Sequence, residues 1–344
     1  MKQILTTLLS LSLFTSLHAQ IVPTPALQAR MQEEEKTFLQ QMKPGLQHTQ
    51  MLAVRAAMAG DTTALTAIRK SRNVPLQIPD DITAQYLTPH LCLFKPAGEM
   101  DHKRPVLLYL HGGGWCFGSI NSCARFCMAV ARDARCCVAA LDYRLAPTHP
   151  FPAPLEDCIQ AFRYLKQHAG EWGGDSTRIS IGGDSAGGNL AIATALSTDG
   201  VYSLIPIYPV IQLTPTDSPS WRTYATGYGN DAELLKAFNE AYGGESVTQP
   251  LASVGLASNE ALQKLPPVLL LSAGHDILLD QGTAWAQRLQ RLGHPLEHHV
   301  FPTATHLFIT VPGQEAAFHE AVRIVSDYLG HRMPFSKSGK GNYT

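Results

Sequence analysis

From Pro79 onward, short apolar runs alternate with longer amphipathic stretches. Thr83–Thr88 and His90–Lys95 read as two strands joined tightly at Pro89. Pro105–Leu110 (P-V-L-L-Y-L) is apolar at nearly every position, the mark of a strand buried on both faces. Ser122–Ala134 predicts a helix and Cys137–Asp142 a strand. The proline-rich loop Tyr143–Ala153 leads into a further helix, Pro154–His168. Thr177–Ile181 then reads as a strand that stops at Gly182–Gly183, and the small apolar run Leu190–Leu196 as a well-packed helix. Tyr202–Ile207, Val268–Ala273 and Leu296–Phe301 complete the strands, with helices over Gly282–Leu292 and Gln314–Leu329. Strands alternating with helices of about ten to fifteen residues imply an α/β protein, its mostly parallel central sheet covered by helices on both faces.

Two segments stand outside that rhythm. Pro25–Arg72 is rich in Gln, Glu, Ala, Met and Leu and carries no strand pattern. Ala26–Met42 and Gln50–Met58 read as helices, and Ala64–Lys70 as a third with Asp61 at its start. These helices are either a lid over a site or an appendage packed on the core. Leu213–Lys264 interrupts consecutive strands, with helices around Ala232–Tyr242 and Asn259–Lys264. An insertion of this size commonly serves as a lid or specificity element. The expected organisation is N-terminal cap helices over 25–72 and a catalytic domain over 80–330, with a cap insertion at about 213–264.

The ends differ in kind. Lys2 is followed by the apolar run Ile4–Leu17 and by His18-Ala19-Gln20, which reads as a signal peptide over 1–19, with large Leu17 at its −3 position. The run is too short for a comfortable membrane span, and no cysteine follows it, so no stable membrane anchor is expected. The expectation is an exported protein, periplasmic or secreted. Residues 334–344 are polar and read as a disordered tail.

Charge and cysteines narrow the chemistry. Formal net charge is −1, without a basic stripe, which gives no support to a nucleic-acid or anionic-membrane partner. All seven cysteines fall between Cys92 and Cys158, mostly inside apolar patterns, and read as buried small side chains without an assigned disulfide. No H-E-x-x-H, paired C-x-x-C, Rossmann or phosphate-loop pattern occurs, so neither metal nor cofactor is expected. Nothing in the pattern assigns an oligomeric state.

One stretch carries a specific chemistry. Ile179–Asn189 reads I-S-I-G-G-D-S-A-G-G-N, which puts Ser185 on a strand-to-helix turn with Gly183 and Gly187 two residues to either side. In such a G-x-S-x-G elbow a tight turn pushes the hydroxyl out above a sheet. Acyl transfer needs, besides this nucleophile, a base, an acid that orients it and donors for an oxyanion. Asp276 follows the strand Val268–Ala273, and His306 lies beyond Leu296–Phe301, so the order is Ser, Asp, His. Asp280 is the rival acid, but it lies where a helix starts and reads as a cap. Among fourteen histidines, His298 and His299 lie inside a strand, His294 in a turn and His319 on the closing helix, which leaves His306 best placed. Backbone N–H groups of Gly113, Gly114 and Ala186 are the candidate oxyanion donors. His111 reads as a residue that fixes this loop.

These motifs resemble a known family. His111-Gly112-Gly113-Gly114-Trp115, Tyr143-Arg144-Leu145-Ala146-Pro147, Gly183-Asp184-Ser185-Ala186-Gly187-Gly188 and the surroundings of Asp276 and His306 look like the hormone-sensitive-lipase-like α/β-hydrolases, from about Pro89 to Leu329. The resemblance implies the α/β-hydrolase fold with a helical cap, carboxylesterase or lipase activity, and Arg144 and Asp157 as framework residues. Thr148 stands where the family often has Glu, and Leu307 where it often has Gly, which is expected to narrow the mouth of the site. The expected function is a serine carboxylesterase that hydrolyses short-chain esters, acetyl groups on carbohydrates among them, through an acyl-enzyme on Ser185. The expected partner is a small-molecule ester. Trp115, Trp221, Tyr224 and Tyr228 are expected to wall its pocket. The alternatives are a ligand-binding protein without catalysis on the same fold, or an acyltransferase or lipase acting on longer chains.

Overall fold

The structure is a computed structural model that describes residues 20–75, 77–98, 103–214 and 217–331. The expected signal peptide, 1–19, and the polar tail, 334–344, lie outside the described residues. Three helices come first: α1 (Pro25–Gln41), α2 (Leu46–Met58) and α3 (Thr63–Arg72). Proline in the first turn of α1 suits a position whose N–H has no intrahelical partner. Ahead of α3, the Asp61 carboxylate accepts the Thr63 N–H at 3.0 Å.

The strand–helix alternation then runs as expected: β1 (Ile82–Thr88), β2 (Leu91–Pro96), β3 (Arg104–Leu110), α4 (Ile120–Asp133), β4 (Cys137–Leu141), α5 (Ala153–His168), β5 (Gly174–Asp184), α6 (Ala186–Ser197) and β6 (Leu204–Ile207). The insertion carries α7 (Pro219–Thr223), α8 (Ala232–Gly243) and α9 (Asn259–Gln263), and the chain closes through β7 (Val268–His275), α10 (Leu279–Arg291), β8 (Leu296–Thr305) and α11 (Glu315–His331). The eight strands form one sheet in the order β1-β2-β4-β3-β5-β6-β7-β8. β1 and β2 form an antiparallel hairpin, β2 runs antiparallel to β4, and every later pairing is parallel. One face packs against α5, α6 and α10, the other against α4 and α11. Central strands such as β4 and β6 are buried along their whole length, which is why they read as unbroken apolar runs.

Several boundaries differ from the sequence pattern, for one reason. β5 continues through Gly182 and Gly183 to Asp184, because these glycines stay in register with β3 and β6. β7 and β8 run past their apolar stretches to His275 and Thr305, which pair with each other. Pairing with a neighbour, not hydrophobicity, sets where these strands end. The short helix α7 carries too few residues for a period to show, and its start is capped by Ser218, whose Oγ accepts the Trp221 N–H. All seven cysteines are buried and free. Among the described residues no helix is long and apolar enough to cross a membrane.

The N-terminal helices do not stand apart from the insertion. α2 packs on α8, while α1 lies against β8 and α11. The two segments outside the alternation are therefore joined through α2 and α8.

Candidate active site

Ser185 stands between β5 and α6 at φ 56° and ψ −118°, a conformation that L-residues rarely adopt. Its N–H donates to Ile207 O at 2.9 Å, and its carbonyl accepts from the N–H groups of Asn189 and Val210. The turn is crowded: a Cβ on Gly187 would collide with the Leu110 carbonyl of β3. That packing explains the small residues around the serine.

His306 Nε2 lies 2.8 Å from Ser185 Oγ, and its Nδ1 lies 2.7 Å from Asp276 Oδ2. Asp276 Oδ1 also accepts the Leu278 N–H at 3.0 Å. The carboxylate thus accepts a hydrogen bond from Nδ1–H, which leaves the Nε2 lone pair facing the hydroxyl. All three residues are buried, and the Tyr208 ring packs on the imidazole at 4.6 Å. Asp276 and His306 arrive from the ends of adjacent parallel strands, while Ser185 leaves the end of β5. The structure therefore brings together the serine, acid and base expected from the sequence. Asp280 is elsewhere: its Oδ2 accepts the Ser220 N–H at 2.7 Å and ties α7 to the start of α10. His298 bonds Ser272 Oγ between strands, and burial, with His299 beside it, pushes its pKa down to about 4.

The glycine loop Gly112–Gly114 approaches the serine from the end of β3. Among the described residues none accepts the backbone N–H of Gly113, Gly114 or Ala186. Gly113 and Gly114 have φ of 109° and 59°, and a Cβ on Gly114 would enter the Phe238 ring. Only glycine serves at such positions. The loop is clamped from below by His111 and by residues to which the sequence had assigned no role. Asp184, fully buried, accepts the Tyr109 hydroxyl at 2.9 Å and the Gly112 N–H at 3.0 Å, and burial pushes its pKa up. His111 contacts Gly112 O at 2.8 Å through Nδ1, stacks on Tyr143 and accepts that phenol's hydroxyl at its carbonyl, which fits its expected role in the loop. Burial lowers the His111 pKa, favouring a neutral ring. Farther along, Arg69 of α3 donates to Cys116 O at 2.8 Å and to Ala146 O at 2.6 Å. No sequence signal links Arg69 to those carbonyls. Arg144 and Asp157 pair at 2.9–3.0 Å, holding the Tyr143–Pro147 turn to α5.

A cavity of about 710 Å³ opens above Ser185. Ser185, His306 and the glycine loop form its base, Phe38, Met42 and Leu46 one wall, and Leu235 and Phe238 of α8 another. The expected aromatic wall is corrected here: none of Trp115, Trp221, Tyr224 and Tyr228 lines this cavity. Trp115, at φ 57°, is turned into the core and stacks on Tyr242 at 4.2 Å. Trp221 packs against the main core, and Tyr224 and Tyr228 surround His275. Their apolar surface is spent on packing the insertion. Phe38, Phe117, Leu235 and Phe238 take the lining instead. Leu307 does lie at the cavity, against Gly229.

Comparison with known proteins agrees with this geometry. A family model described as alpha/beta hydrolase fold matches residues 107–310. The carboxylic ester hydrolase LipN of Mycobacterium tuberculosis is 35% identical over 257 residues, which cover 68% of this chain and 68% of that protein. An ethyl acetate hydrolase of Pseudomonas putida is 36% identical over 216 residues, 59% of this chain and 66% of that protein. In structure, carboxyl esterase 2 of the mycorrhizal fungus Tuber melanosporum superposes with a TM-score of 0.70 at 27% identity, covering 75% of this chain and 88% of that one. A thermostable esterase of Pseudomonas putida, 24% identical, shares the fold with a TM-score of 0.75. The chain belongs to the hormone-sensitive-lipase-like family of α/β-hydrolases and is a carboxylic ester hydrolase.

Proposed function

We propose that Ser185 is the nucleophile of this hydrolase, His306 its general base and acid, and Asp276 the residue that orients the imidazole. The observation that carries the reading is the hydrogen-bonded chain Asp276–His306–Ser185, opening on a cavity beside three unengaged backbone donors. His306 takes the hydroxyl proton as Ser185 Oγ attacks the ester carbonyl. The N–H groups of Gly113, Gly114 and Ala186 receive the oxyanion, and each is worth about 3–4 kcal/mol of barrier. Collapse of the tetrahedral intermediate expels the alcohol, which leaves with the proton from His306. Water, deprotonated by the same imidazole, then attacks the acyl-enzyme and releases the acid. A binding protein without catalysis would have no use for this complete relay.

The substrate we propose is an ester of a short acyl group with a bulkier, polar alcohol, such as an acetylated carbohydrate. Phe117 and Phe238, edge to face at 5.5 Å, bound the space beside the oxyanion loop and favour a small acyl group. A cavity of about 710 Å³ exceeds what an acetyl group needs. Gln47, Gln50 and Asn230 line it and supply hydrogen-bonding groups suited to hydroxyls. The similarity to an ethyl acetate hydrolase lends further support. The test is kcat/KM over p-nitrophenyl esters of increasing chain length, followed by acetate release from acetylated sugars. The profile is expected to peak between acetyl and butyryl. One that climbs through octanoyl would replace this reading with a lipase.

A further inference from the structure

The cavity above Ser185 is electrically one-sided. Three cationic side chains line it, Lys43, Arg72 and Arg125. Its one lining carboxylate, Asp184, is turned beneath the glycine loop and held by Tyr109 and Gly112. Arg125 is occupied, since it pairs with Glu315 and lies over the Phe318 ring. Arg72 is different. Its guanidinium sits 4.9 Å from the centroid of the Phe117 ring, and among the described residues no carboxylate pairs with it.

This cation is also held in place. Arg72 ends α3 between two residues that are pinned to the loop following the glycines. Arg69 bonds the carbonyls of Cys116 and Ala146, and Asn73 Oδ1 accepts from Ser119 Oγ at 2.9 Å and Asn121 Nδ2 at 2.7 Å. The end of α3 that carries Arg72 is therefore fixed against that loop, and the Phe117 ring backs the guanidinium. An arginine backed by an aromatic ring at the lining of a substrate cavity suits a carboxylate.

The geometry points to an ester that carries an anionic group, a carboxylate in the simplest case, remote from its scissile carbonyl, with Arg72 as the residue that reads it. Lys43, from the turn between α1 and α2, adds to the same potential. The inference rests on the reading of Ser185 as nucleophile and goes beyond it by specifying charge.

The experiment uses substrate pairs that differ in charge alone. 4-Acetoxybenzoate against 4-acetoxybenzamide places the anion on the alcohol side. Monoethyl adipate against the ethyl ester of adipic monoamide places it on the acyl side. The ratio of kcat/KM within each pair cancels losses of folded enzyme or of general efficiency. In the unaltered protein at least one pair is expected to favour the anion by about tenfold, the scale of one charge-assisted hydrogen bond at a partly open site. Arg72→Gln should bring that ratio close to one, and Arg72→Lys should keep part of it. A ratio at or below one in both pairs overturns the proposal, as does a preference undiminished in Arg72→Gln. The neutral esters report on Ser185 separately: failure to hydrolyse them, or p-nitrophenyl acetate, would remove the nucleophile assignment and this inference with it.

Discussion

Ser185 occupies a backbone conformation that costs about 1–3 kcal/mol, offset by the hydrogen bonds of its own N–H and carbonyl to β6 and to the chain that follows it. The hydroxyl contributes little to that balance, since among the described residues its one hydrogen-bond partner is His306. Ser185→Ala is therefore expected to lower turnover by about four orders of magnitude or more while moving the thermal midpoint by no more than about two degrees. Ester hydrolysis followed on calorimetrically matched samples decides this, and retained turnover would clear Ser185 of its role. The two candidate acids separate in the same way. Asp276→Asn leaves His306 without the acceptor that fixes its Nδ1 proton, so a loss of about 10⁴ in kcat is expected. Asp280→Ala removes the acceptor of the Ser220 N–H, which should cost about 1–3 kcal/mol of stability at nearly full turnover. Reversed phenotypes would mean that the other carboxylate serves the imidazole.

At the scale of elements, the site depends on where strands stop. β7 and β8 continue beyond their apolar stretches, and this extension lifts Asp276 and His306 to one height above the sheet. Deeper in the same pair, His298 is buried and bonded to Ser272, and its pKa is pushed down to about 4, mainly by burial. The ordinary value, 6.5, applies once the chain unfolds. Between those values the unfolded chain binds a proton that the folded one refuses, so the folded state loses stability as pH falls from 6.5 toward 4. Urea unfolding at pH 7, 5.5 and 4.5 should show a steeper acid loss in the native chain than in His298→Gln. Parallel losses would mean that other groups carry the acid sensitivity.

At the scale of the whole molecule, the three N-terminal helices are part of the enzyme's wall. Met31, Val54 and Leu65 are buried by their packing, and the buried Glu35 carboxylate pairs with His275, the residue before Asp276. Phe38, Met42 and Leu46 face the cavity. Removal of residues through Arg72 takes away those contacts and exposes apolar surface on β8, α8 and α11, at about 1.5–3 kcal/mol for each large side chain uncovered. The truncated protein is expected to melt at a lower temperature and to discriminate less between acetyl and octanoyl esters. If it keeps both its melting point and its ester profile, the helices are an appendage and not a wall.

The alternation of apolar and polar runs by itself determined the parallel sheet with helices on both faces, because the period and length of each run depend on neighbours in the chain. The elbow around Ser185 and the order Ser185, Asp276, His306 were legible for a related reason: topology alone places the ends of parallel strands on one edge. What lines the cavity was not legible. Trp115 follows the glycine loop and looked like a wall, yet a left-handed φ turns it into the core against Tyr242. Trp221, Tyr224 and Tyr228 have a hydrophobic character that demands burial but does not say against what. The contacts that shape the site join residues far apart, 47 positions for Arg69 with Cys116 and 240 for Glu35 with His275. No local period records such pairs. They exist only once the fold has brought distant segments together, and that long-range packing placed Arg72 beside Phe117 and gave the cavity its charge.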